Sequence, residues 1–137
     1  MKSHFELNDT EFVQKFEDCS LEPSLFNHGA HLRLAWYYIK EFGVEKAIKK
    51  TCAAIKQFDL VHGKGDKFHT TITVASVKMV YHFMQKSQNS DFQTFMHKFP
   101  RLKIAFKELL DQHYGIDIFS NEEARVRYIN PDILPFD

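Results

Sequence analysis

The chain is poor in most of the residues that announce a specialised architecture. Two cysteines, Cys19 and Cys52, in 137 residues are too few for a disulfide framework and show no metal-type spacing. Five glycines and four prolines fall mostly at the edges of periodic segments, so no linker, repeat or low-complexity stretch divides the chain. Charge of either sign is not in excess: 18 basic side chains balance 18 acidic ones. That balance removes the long-range field with which a protein gathers nucleic acid or an anionic membrane surface. No apolar run approaches the ~20 residues needed to span a bilayer. Residues 1–11 carry Glu6, Asp9 and Glu11 without an apolar h-region, and so do not read as a secretory signal. The expectation is a cytoplasmic protein with reduced thiols, partnered by neither nucleic acid nor membrane.

What the chain has in quantity is phenylalanine, fourteen in all, enough for an aromatic core in a single domain spanning 1–137. Its apolar residues recur at helical spacing. Asn8 followed by Glu11 forms a capping-box pattern before Phe12, Val13 and Phe16. Leu32, Ala35, Trp36, Ile39 and Phe42 then mark a helix from about Asn27 to Phe42, closed by Gly43 as a left-handed cap. Val44 to about Val61 follows with almost no loop. The Gly63–Lys67 stretch reads as a flexible turn. Residues 70–87 are apolar on two sides, which suits a buried central helix, with Thr70 or Thr71 as its N-cap. Ser90 caps a short segment through Phe92, Phe95 and Phe99, stopped by Pro100. Leu102 to Tyr114 reads as one amphipathic helix, and Asn121–Arg125 opens a last short one. The tail from Asn130 is proline-spaced and extended, with Ile133, Leu134 and Phe136 packing back. The fold class is therefore all-α, a compact single-domain bundle of about six helices.

Chemistry points to histidine. His28 and His31 stand three apart, on one helical face at the start of the core-facing stripe, and His69 stands at the start of the central helix. If the three converge, neutral imidazoles would hold a divalent transition metal, zinc or nickel, with an open position for water. The bland alternative has His28 and His31 bonding near a helix start and His69 satisfying a buried carbonyl. Lys67, Thr73 and Arg125 are candidates to contact an anionic small molecule, Lys67 beside a helix start being a plausible anion cradle. The alternative for Arg125 is a surface ion pair with Glu122.

Three strings carry a resemblance: Phe26-Asn27-His28-Gly29-Ala30-His31-Leu32-Arg33-Leu34-Ala35-Trp36; Lys67-Phe68-His69-Thr70-Thr71-Ile72-Thr73, preceded by Gly63; and Ser120 to Arg125 with Pro131-Asp132-Ile133-Leu134-Pro135. Together they resemble a family of small uncharacterised bacterial all-helical proteins, over residues 26–136. The resemblance implies that His28, His31, His69 and Arg125 belong to recurring motifs, and it assigns no activity. The family reads Lys-Tyr-His-Glu-Thr-Leu-Thr in the second string. Thr70 stands in place of that glutamate, so any role of the acid is absent here.

The leading reading is metal-assisted hydrolysis or hydration of a small anionic substrate at His28, His31 and His69. The alternatives are a non-enzymatic binding module for a small molecule or anion, and a homodimeric interaction protein whose histidines are structural.

Overall fold

The computed structural model describes residues 3–87 and 91–136, and among these every regular element is helical, with no strand. Eight α-helices follow in order: α1 (Asp9–Glu17), α2 (His28–Phe42), α3 (Val44–His62), α4 (Thr70–Met84), α5 (Phe92–Lys98), α6 (Arg101–Ile104), α7 (Phe106–Asp111) and α8 (Glu122–Val126). Among the described residues no helix is long and apolar enough to cross a membrane. By their contacts the residues gather into two compact units, one ending at Phe68 and the other starting at His69.

The N-terminal unit is built on the α2–α3 hairpin, against which α1 packs. The sequence signals for its ends are met. Asn8 accepts from the Glu11 backbone while the Glu11 side chain accepts from the Asn8 backbone, satisfying two helix-start N–H groups that would otherwise face water. Gly43 joins α2 to α3 at φ 84, a conformation that a side chain disfavours. The core is aromatic: Phe12, Phe16 and Tyr38 are fully buried, and Phe16 stacks on Phe58 with centroids 4.6 Å apart.

A second device ties the residues before α1 to α2. Arg33 is buried, and all five of its N–H groups have acceptors. Nε and Nη2 donate to Asp9 Oδ1 at 3.0 and 2.8 Å. Nη2 also donates to the Leu7 carbonyl, and Nη1 to the carbonyl and Nδ1 of His4. The guanidinium lies 4.8 Å from the centroid of Phe12. A buried cation is tolerable when it is paired and fully hydrogen-bonded, and both conditions hold here.

The C-terminal unit is built on α4, against which α8 packs. Thr71 joins them to the chain beyond: its hydroxyl donates to the Arg127 carbonyl at 2.8 Å and accepts from the Ile129 amide. Thr71 is thus engaged across the unit, and neither it nor Thr70 caps α4. His69 does so, its Nδ1 accepting from the Ile72 amide at 3.1 Å. Asp91 caps α5, while Ser90, to which the sequence assigned that part, lies outside the described residues.

Two further expectations are corrected. The helix expected over Leu102 to Tyr114 is broken at Ala105, whose backbone leaves helical values at φ −137, ψ 35. The hydrogen bonds on both sides survive, from Ala105 N to Arg101 O and from Leu109 N to Ala105 O, so apolar spacing runs through the bend unchanged. In the tail only Phe136 packs back, stacked on His113 at 4.2 Å. Ile133 and Leu134 stay exposed, because their backbone, rather than their side chains, is what docks. Both amides donate to the His113 carbonyl, and His113 Nδ1 donates to the Leu134 carbonyl.

Candidate functional site

The loop after α3 looks mobile by composition, yet a buried carboxylate organises it. Asp59 sits in the last turns of α3, and its Oδ2 accepts from the amides of Lys67 and Phe68 at 2.8 and 3.0 Å. Its carbonyl accepts from the amides of Gly63 and Gly65. One residue thus gathers four backbone donors and folds residues 63–68 back over the end of its own helix. The turn that the sequence marks as flexible is therefore pinned. Gly63 is required by this close approach, since a Cβ there would stand 2.6 Å from Asp59 Oδ1.

Beside the folded-back loop lies a half-open cavity of about 300 Å³ within the N-terminal unit. Its apolar wall is Pro23, Phe26, Ile55, Phe58 and Phe68, and its polar lining is His31, Asp59, His62 and Lys67. Four rings of the lining form a connected chain. Phe26 and Phe58 lie 5.3 Å apart, the His31 ring sits 3.7 Å from Phe26, and the His62 ring sits 4.5 Å from Phe58. Pairs at these separations hold ring orientations to a degree that area burial alone does not.

Each imidazole has a defined proton. His31 Nδ1 donates to the Asn27 carbonyl at 3.1 Å, leaving Nε2 as an acceptor. Burial, reinforced by the nearby charge of His28, pushes the His31 imidazole down to about 4, so the ring is neutral at pH 7. His62 Nε2 donates to the Cys19 carbonyl at 2.7 Å. The two thiols are not activated. Burial, with Asp18 adding to it, raises Cys19, and burial raises Cys52 to about 11, which disfavours the reactive thiolate.

The three-histidine metal centre expected from His28, His31 and His69 is overturned. Among the described residues, no group of three His, Cys, Asp or Glu side chains is placed to hold a metal ion. The reason is clearest at His69, in the C-terminal unit. Its Nδ1 accepts from the Ile72 amide and its Nε2 donates to the Ile118 carbonyl at 2.8 Å, so neither nitrogen keeps a lone pair for a metal. His69 is the structural histidine of the bland alternative, doubling as a helix cap. His28 lies exposed at the first turn of α2.

The remaining candidates separate. Lys67 lines the cavity together with His31. Thr73 is buried within α4. Arg125 pairs with Glu122, Nη2 to Oε1 at 2.9 Å, one turn away on the same short helix. Sequence reasoning did not single out Asp59 or the phenylalanine wall. No protein-family model, curated protein or solved structure matches the chain, so the reading of this cavity rests on its own residues.

Proposed function

We propose that the cavity of the N-terminal unit is a binding site for a small ring-bearing molecule. The observation that carries the reading is the pairing of three phenylalanine walls with two imidazoles, a carboxylate and an ammonium around about 300 Å³. That volume lies at the lower end of small-molecule sites, where an apolar lining supplies affinity and a few polar groups fix orientation. The lining contains no serine, threonine or cysteine, so acyl-transfer chemistry has no hydroxyl or thiol nucleophile to begin from. Binding is the simpler use of these groups. An anionic ligand is disfavoured, since His31 is neutral and the Asp59 carboxylate offsets the Lys67 charge. A reducing, cytoplasmic setting belongs to the same proposal, supported by two cysteines that remain free thiols.

Saturation-transfer NMR on the full chain with a panel of uncharged and anionic ring fragments tests this directly. Ile55 lines the cavity and is only half-buried, so Ile55→Trp fills the space with little cost to the core. Fragment signals that appear with the wild type and vanish with Ile55→Trp are the expected result. Signals unchanged by the filled cavity, or absent throughout, contradict the reading.

A further inference from the structure

The polar lining is unequal in kind, and the inequality specifies what fits. A carboxylate only accepts hydrogen bonds, and Asp59 is buried with Oδ2 already receiving two amides. His31 has committed its one proton to its own helix, at the Asn27 carbonyl. His62 has committed its Nε2 proton to the Cys19 carbonyl. Asp59 and His31 thus present acceptors at the cavity, and Lys67 presents a donor. An acceptor that loses its water on ligand binding must be met by a donor, or the desolvation cost is left uncompensated.

Resting on the binding role proposed above, we infer that this cavity takes an uncharged, planar aromatic heterocycle carrying N–H donors, of the aminopurine or aminopyrimidine type. The flat ring lies against phenylalanine faces, where aromatic contact is favourable in offset or tilted geometry. Its N–H groups meet His31 Nε2 and the Asp59 carboxylate, and a ring nitrogen accepts from Lys67. Burial that keeps the His31 ring neutral preserves the acceptor at pH 7. A carboxylate-bearing ring would instead face Asp59, with one lysine to balance two negative charges, and is rejected. A ring of the same shape without N–H groups would fill the space and leave the acceptors unmet. The discrimination therefore comes as much from unmet partners in the wrong ligand as from contacts in the right one.

The test uses three probes on the intact chain: adenine, 9-methylpurine (the same bicycle without an N–H), and benzoate. Titrations followed by amide and histidine-ring NMR give the three dissociation constants. Adenine is expected to bind about tenfold more tightly than 9-methylpurine, the scale of one or two satisfied hydrogen bonds, and benzoate more weakly than either. The His31 Nε2 resonance should move upfield with adenine as the nitrogen accepts a hydrogen bond, a readout that needs no variant. His31→Phe keeps the ring and its contact with Phe26 while deleting the acceptor. It should remove the preference for adenine over 9-methylpurine. Benzoate or 9-methylpurine binding as tightly as adenine, or an unmoved His31 Nε2, overturns the ligand class. The binding role itself still stands in that case if fragments saturate in the Ile55→Trp comparison. A blank result in both experiments removes both proposals.

Discussion

Cys19 follows α1 at φ 63, the left-handed conformation that L side chains resist and that glycine adopts freely. The amides of Ser20 and Leu21 both return to the Lys15 carbonyl around it, so the turn is held by the chain on either side. Cys19→Gly should therefore stabilise the fold by about 1 kcal/mol, read as a raised midpoint in chemical denaturation. A lowered midpoint would mean that the thiol's packing outweighs the backbone strain. His31 sets a pH dependence of known sign. Its folded-state value of about 4 lies below the ordinary histidine value, so from pH 6.5 downward the unfolded chain takes up a proton that the folded chain refuses. Stability is full above pH 6.5, declines through that window and levels off below about 4. Between pH 7 and 4.5 the loss is roughly 2 kcal/mol. Denaturation curves at pH 7 and 4.5 should show that decline in the wild type and a shallower one in His31→Phe, the comparison cancelling carboxylate protonation common to both.

At the scale of elements, side chains that reach back to the main chain hold the N-terminal unit's irregular parts. Arg33 holds residues 4–9 through five N–H groups, a geometry that lysine cannot reproduce. Arg33→Lys should cost about 3 kcal/mol by leaving buried acceptors unmet, seen in thermal unfolding; a change within error would show the clasp to be dispensable. Asp59 holds residues 63–68 in the same way. Asp59→Ala should cost about 2 kcal/mol and release the Lys67 and Phe68 amides to fast hydrogen exchange. Amides that stay protected would show that the loop closes without the carboxylate. The sequence announces helix ends best where the cap is local: Asn8 with Glu11, and Gly43, can be read within four residues. It does not announce the bend at Ala105, where no glycine or proline interrupts the spacing. It also misassigns the cap of α4, because Thr71 is drawn to Arg127 and Ile129, partners more than fifty residues away.

At the scale of the molecule, helical periodicity already indicates an all-α chain, and among the described residues every regular element is helical. The candidate site was legible only in part. His31 and Lys67 stand out as residue types, and both line the cavity. Asp59 does not, because an acid near a helix end is usually a solvated one, and its burial arises only when the loop closes over it. Phe26, Phe58 and Phe68 are hidden for a related reason. A phenylalanine at helical spacing reads as core whether its far side meets another side chain or an opening. His69 misleads in the opposite sense: its type suggests a ligand, while both ring nitrogens bond within its own unit. The central claim is that the cavity of the N-terminal unit receives an uncharged ring bearing N–H donors. The most direct measurement is a titration of the isotopically labelled intact chain with adenine, followed through the amide and aromatic resonances. The account predicts saturable shifts concentrated at Phe26, His31, Phe58 and Phe68, abolished by Ile55→Trp. Shifts that never saturate, or that gather on residues away from this cavity, would contradict it.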